Sequence, residues 1–246
     1  MEKKKSLGQH FLHNQHTLQK IAGGLGDIKN STVVEIGPGS GNLTRYLIDV
    51  KKLIAYELDD RLISELKEKY PTADIVHGSF LDADLKQLHH DYLLIGNIPY
   101  FLTGLIMRKI FDVDNYPKSM VLLVQKEYAE KMMGYPHPNF FSNWVQVWGK
   151  ISKLFIVKKG EFSPPPKVDS ATIKIDFYEK PIFDDPEKFA KFLKIVFSRP
   201  RRTILNNLKS SYAKFDENSV KGIEKKRPHE LSFEQIKNMY TKYYYN

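Results

Sequence analysis

Two short stretches of this chain carry residue types that could do chemistry together. In Glu35-Ile36-Gly37-Pro38-Gly39-Ser40-Gly41, glycines follow an apolar run. Glycine lets the backbone turn sharply and lets a ligand approach its amides closely. Twenty residues beyond Gly37, at the end of the next apolar run, stands Glu57. An acid there can accept hydrogen bonds from ribose hydroxyls. The G-x-G-x-G spacing is looser than a dinucleotide fingerprint, and an acid before the first glycine is unlike one. Gly37, Gly39 and Glu57 therefore read as a nucleoside-cofactor site, with S-adenosyl-L-methionine ahead of NAD; the bland alternative is a plain strand-to-helix turn.

The second stretch, Asn97-Ile98-Pro99-Tyr100, follows Leu93-Leu94-Ile95-Gly96. The exocyclic amine of adenine is a poor nucleophile because its lone pair is delocalised into the ring. The side-chain carbonyl of Asn97 and the backbone carbonyl of Ile98, fixed by Pro99, can accept both amine hydrogens. That draws the nitrogen toward tetrahedral geometry and exposes its lone pair to an electrophilic methyl. Tyr100 offers a flat face on which an unstacked base can rest. Positioning and charge stabilisation then do most of the work, without a strongly perturbed general base.

These stretches need elements to hold them. From about residue 31 to 125, short apolar runs (Val33–Ile36, Leu53–Tyr56, Tyr92–Ile95, Met120–Val124) alternate with helical-period segments. Leu62, Ile63, Leu66 and Tyr70 share one face of a helix opening at Asp59-Asp60. Such alternation predicts βαβ units and a mainly parallel, doubly wound α/β sheet, with ligands beyond the carboxyl ends of its strands. Residues 144–158 and 167–178 read as two further strands, an antiparallel hairpin at the sheet edge. After Pro181 the pattern turns helical, with Phe189, Phe192, Leu193, Val196 and Phe197 spaced for one buried stripe. This predicts a catalytic domain over 1–180 and a small helical domain over 181–246.

At 246 residues, 41% hydrophobic and 27% charged, the chain has the composition of a globular protein. It has no cysteine, which excludes a disulfide framework, thiolate zinc sites and cysteine nucleophiles, and no metal site is expected. The basic start lacks the apolar stretch of a signal peptide, and no run approaches the roughly 18 apolar residues of a membrane span. A soluble cytoplasmic protein is expected, and no long heptad run points to anything but a monomer. Lys and Arg number 38 against 29 Asp and Glu; residues 181–246 hold 14 basic and 8 acidic ones, a net +6 of the total +9. That asymmetry suggests a polyanionic partner, most simply nucleic acid, and solubility charge is the alternative.

The Gly37-Pro38-Gly39 loop, Asn97–Tyr100, Gly8-Gln9-His10-Phe11-Leu12, the QKE of residues 125–127, Phe162-Ser-Pro-Pro-Pro-Lys-Val-Asp-Ser170, Arg201-Arg202-Thr203 and Arg227-Pro-His-Glu-Leu-Ser232 together resemble the ribosomal RNA adenine N6-dimethyltransferases, from residue 5 to about 240. Asn-Ile-Pro-Tyr is shared with the macrolide-resistance enzymes of large-subunit RNA; the full combination looks more like the small-subunit, KsgA-like group. The resemblance implies a Rossmann-like class I methyltransferase sheet with a small C-terminal helical domain, and S-adenosyl-L-methionine as cofactor. It implies that His10 and Leu12 lie against the cofactor, Gly37 by its methionine portion, Glu57 on its ribose and Asn97 at the transferring methyl. Phe162 would oppose Tyr100 across the target adenine. Arg201 and Arg202, expected on a helix, would contact RNA phosphates. The implied activity is dimethylation of two adjacent adenosines near the 3′ end of 16S ribosomal RNA, on the pre-30S particle, during small-subunit maturation.

Two departures from the family pattern stand out. Ser79 occupies the place of an acid that would bind the cofactor's adenine amine, a contact Asp82 could make instead. Pro138-Asn-Phe-Phe-Ser-Asn-Trp144 replaces a Tyr-Gly-Arg-Leu-Ser segment on the substrate side. They keep other readings open: a weakly catalytic RNA-binding assembly factor, a large-subunit enzyme, or a DNA adenine methyltransferase.

Overall fold

The computed structural model describes residues 10–88, 90–111, 115–211 and 217–245; Gly8 and Gln9 of the N-terminal motif lie outside them. The chain runs through β1 (Phe11–Leu12), α1 (Gln15–Gly23), β2 (Thr32–Ile36), β3 (Lys52–Glu57), α2 (Asp60–Lys69) and β4 (Asp74–His77). It continues through β5 (Leu93–Asn97), α3 (Thr103–Phe111), β6 (Ser119–Gln125), α4 (Lys126–Met132) and α5 (Phe140–Trp148). Then follow β7 (Gly149–Val157), β8 (Phe162–Ser163), β9 (Ser170–Phe177), α6 (Pro186–Val196), α7 (Ile204–Lys209) and α8 (Phe233–Tyr245).

Two compact units emerge, one of Met1–Ala129 with Ser152–Phe177, the other of Glu130–Ile151 with Tyr178–Asn246. The last part of the second unit begins at Tyr178, and that unit also draws in Glu130–Ile151.

The first unit is built on a sheet of order β4-β3-β2-β5-β6-β9-β7. Strands β4 to β6 are mutually parallel and β9 runs antiparallel to β6. Val33, Val34, Leu94, Ile95 and Met120–Val124 are fully buried, as strands covered on both faces must be. The chain turns from β4 back across β2 to β5, so the order reverses between β2 and β5. There the crevice beyond the strand ends is widest. Helix α2 starts where the sequence predicts: the Asp59 side chain accepts the Arg61 N–H, and Leu62 and Leu66 are buried.

One expected strand begins late. Residues 144–148 belong to α5, because Asn139 caps its first turn: Oδ1 accepts the N–H groups of Phe141 and Ser142, while Ser142 Oγ accepts the Asn139 N–H. The alternating Trp144-Val-Gln-Val-Trp148 reads as strand, but this reciprocal cap fixes a helix.

In the second unit the stripe on α6 is buried at Phe189, Phe192, Leu193 and Val196, while Phe197, expected in the same stripe, stands half-buried just past the helix end. Tyr240 of α8 packs its ring against Phe183, Phe189 and Phe192 at centroid distances of 4.8, 5.0 and 5.4 Å. Aromatic area of this kind supplies most of a small helical core.

Candidate active site

At the switch point, the loop after β2 and the loop after β5 face one pocket. Its lining includes His10, Leu12, Glu35, Gly37, Gly39, Glu57 and the whole of Asn97–Tyr100. Gly37 has φ +66° and no heavy atom within 4 Å of where a Cβ would stand, so its missing side chain leaves open space. Gly39, at φ +60°, passes so close to Phe11 that a Cβ would meet the ring at 2.9 Å. The Glu57 carboxylate shapes this loop: Oε2 accepts the Gly39 N–H at 2.9 Å and Oε1 accepts the Asp59 N–H at 2.8 Å. Each oxygen keeps a second lone pair for a ligand hydroxyl.

Asn97 ends β5 with its amide oriented. Nδ2 donates to the carbonyl of His10 at 3.2 Å, which leaves Oδ1 as the group available to a substrate amine. The His10 ring is tied in turn, Nδ1 donating to the Pro164 carbonyl at 2.8 Å, and it lies nearly parallel to Tyr100 with centroids 5.8 Å apart. Tyr100 is anchored at its far end, Oη and Ser170 Oγ lying 2.6 Å apart. Burial, above all, raises the Tyr100 phenol above its ordinary value, with the Ser170 hydrogen bond acting the other way, so it stays neutral.

Sequence reasoning quoted Glu35 but gave it no role. It is 1% exposed, it lines the pocket, and its Oε2 has no hydrogen-bond partner among the described residues. Burial pushes its carboxyl up to about 8, the Thr44 hydroxyl offsets this in part, and the charge of Glu57 adds to it. Burial at the end of a central strand was the missing signal.

A second, more apolar pocket adjoins the first, the two sharing Gly37, Glu57 and Pro99. Tyr56, Leu58, Gly78, Ser79, Phe80, Phe101 and Leu102 complete most of its wall. Ser79 stands just past β4, whose His77 pairs with Glu57. Its Oγ accepts the Leu81 N–H at 3.1 Å. Asp82 is exposed and does not line this pocket.

The chain matches the family described as Ribosomal RNA adenine dimethylase over residues 1–244. It belongs to that family. A ribosomal RNA small subunit methyltransferase A from Mycoplasma mobile is 36% identical over 237 residues, covering 94% of this chain and 91% of that protein. The protein of that name from Thermotoga petrophila is 35% identical over 248 residues, 98% of this chain and 91% of its own. A dimethyladenosine transferase structure from Plasmodium falciparum has TM-score 0.81 at 26% identity, covering 94% of this chain and 96% of that one. The 23S rRNA methyltransferase ErmE shares the fold, with TM-score 0.82 at 24% identity over 95% of this chain and 99% of its own. The fold is thus that of the Rossmann-like class I methyltransferases.

The pocket residues fit the S-adenosylmethionine that this dimethylase family and fold use. The open space over Gly37 admits a ligand, the Glu35 oxygen without a partner among the described residues can hydrogen-bond one, and Glu57 keeps lone pairs for ribose. His10, Leu12, Gly37, Gly39, Glu57 and Asn97 are brought together as the sequence implied, with Ser79 in the adjoining pocket.

Two dimethylase-type expectations need correction. Phe162 does not line the pocket that holds Tyr100: it is 3% exposed, pairs with Leu12 in the β1–β8 ribbon and belongs to the apolar core around Leu18 and Ile21. A large apolar ring beside that core gains more by burial than by facing water. His10 is the ring beside Tyr100 instead. Arg201 and Arg202 do not lie on a helix; they are exposed in the turn between α6 and α7. Thr203 caps α7 by accepting the Asn206 N–H, so the chain turns just where the arginines stand.

Proposed function

We propose that this chain dimethylates N6 of two adjacent adenosines near the 3′ end of small-subunit (16S) ribosomal RNA, acting as a monomer on the pre-30S particle in the cytoplasm. The observation that carries the chemistry is Asn97, whose amide nitrogen is committed to His10 and whose oxygen is left for an amine. The small-subunit substrate is supported by relatives named for that subunit, 36% and 35% identical along nearly the whole chain.

S-adenosylmethionine supplies, when bound, an electrophilic methyl on a sulfonium. Asn97 Oδ1 and the Ile98 carbonyl accept the hydrogens of the target amine, localising its lone pair on nitrogen. Pro99, with its fixed φ, holds the Ile98 carbonyl in place. Tyr100, anchored by Ser170, carries the base out of its stack. Tyr100→Ala should weaken binding of single-stranded adenosine RNA by roughly 5- to 150-fold, the worth of one base–aromatic stack. Tyr100→Phe, which keeps the ring, should stay within a few-fold. Equal losses in fluorescence titrations of the two variants would deny Tyr100 a stacking role.

Arg201 and Arg202 would meet RNA phosphates. Replacing both with Gln should flatten the salt dependence of RNA binding, by roughly 0.7–0.9 in log–log slope per lost phosphate contact. An unchanged slope would make them ordinary surface charge.

The function is tested by incubating pre-30S particles with enzyme and labelled cofactor, then analysing digested RNA by mass. Dimethyladenosine in the small-subunit RNA is expected. Product on large-subunit RNA alone would move the chain to the resistance class. RNA binding without any product would make it an assembly factor.

A further inference from the structure

Across the carboxyl ends of the parallel strands, the polar groups follow the sheet order. Asn97 ends β5, the glycine loop follows β2, Glu57 ends β3, and Ser79 follows β4 at the sheet edge. Neighbouring strands stand about 4.8 Å apart. A nucleoside whose ribose meets Glu57, and whose reactive end meets Asn97, therefore has its base over β4. That base falls in the apolar pocket walled by Leu58, Phe80, Phe101 and Leu102.

The polar side chains lining this pocket are Tyr56, Glu57 and Ser79. Glu57 is spoken for by two backbone amides and by the ribose. Ser79 is the lining residue that follows β4 and joins the pocket wall between Gly78 and Phe80. Its oxygen already accepts the Leu81 N–H, which leaves one further lone pair and a hydroxyl hydrogen to give. A carboxylate can only accept, so it would pair with a 6-amino group and repel a 6-oxo group. A hydroxyl can accept from the first or donate to the second.

We propose that Ser79 makes the base pocket of this enzyme permissive at the purine 6-position, so that it takes 6-oxopurine nucleoside thioethers alongside the 6-amino cofactor. The inference rests on the cofactor reading of the site and concerns only how the base is read.

The test is calorimetric titration of the full chain with S-adenosylhomocysteine and with S-inosylhomocysteine. For the wild type the two dissociation constants should agree within about tenfold. Ser79→Asp should tighten the adenosyl compound several-fold and weaken the inosyl one, raising their ratio at least tenfold. That variant can still cap Leu81 with one oxygen while the other faces the base, so it should fold as the wild type does. Ser79→Ala should weaken both compounds modestly and leave their ratio within a few-fold of the wild type. A wild-type ratio above a hundredfold, or a ratio unmoved by Ser79→Asp, would overturn the proposal while leaving the cofactor site intact. Failure of both compounds to bind wild type at millimolar concentration would overturn the cofactor reading and this inference with it.

Discussion

Asn97→Ala is expected to bind ribosomal RNA as the wild type does and to lose turnover by about 10²–10³-fold. That magnitude is typical when one oriented polar group is removed from the site where charge develops. The amine hydrogens become acidic only as the nitrogen gives up its lone pair, so Oδ1 grips harder in the transition state than in the ground state. An interaction of that kind appears in kcat and not in binding. Asn97→Asp sharpens the test, since it retains an acceptor but loses the Nδ2 donor that the His10 carbonyl holds at 3.2 Å. Its carboxylate would face a carbonyl that can only accept, and the side chain should rotate away. Turnover in Asn97→Asp should therefore also fall, and single-turnover rates on pre-30S particles would show it. A parallel fall of RNA affinity and rate in Asn97→Ala would assign the residue to binding instead.

The scaffold and half of the site are legible in the sequence because they rest on local signals. The apolar runs of β2, β3, β5 and β6 are buried on both faces and so need no alternation to be seen. The positive-φ glycines announce the turn after β2, and Pro99 announces the exit from β5. Most of what escaped depends on contacts between distant residues. The bond that orients Asn97 reaches 87 residues back to His10. The role of Glu57 as organiser of the glycine loop shows only when Gly39 is seen to donate to it. Phe162 looks like a stacking ring before a proline run, yet its pairing with Leu12 puts it in the core. The Trp144–Trp148 stretch alternates like a strand, and a cap several residues upstream decides otherwise. In the first three cases a contact between distant residues decided; in the last, a reciprocal helix cap did.

Glu35 supplies the other large effect, a pH dependence of stability. Its carboxyl, held up to about 8 by burial, against the ordinary value of 4.5 it regains when unfolded, is protonated in the native protein near neutrality. Between those values the unfolded chain has lost a proton that the native one keeps, so unfolding becomes more favourable as pH rises. The stability tied to Glu35 is complete below about pH 4.5 and drains away as pH climbs to about 8, at roughly 1.4 kcal/mol per pH unit. Glu35→Gln keeps the shape and cannot ionise. Its buried amide has two hydrogens to satisfy beside a pocket that offers few acceptors, so its stability at pH 5 should be lower by about 1–3 kcal/mol. Raising the pH should then bring the two proteins together and carry the variant past the wild type, because only the wild type must, on folding, take back a proton that its unfolded chain releases. Urea unfolding at pH 5, 6, 7 and 8 measures the difference directly. Two stability curves that stay parallel across that range would mean that Glu35 is already ionised in the native state.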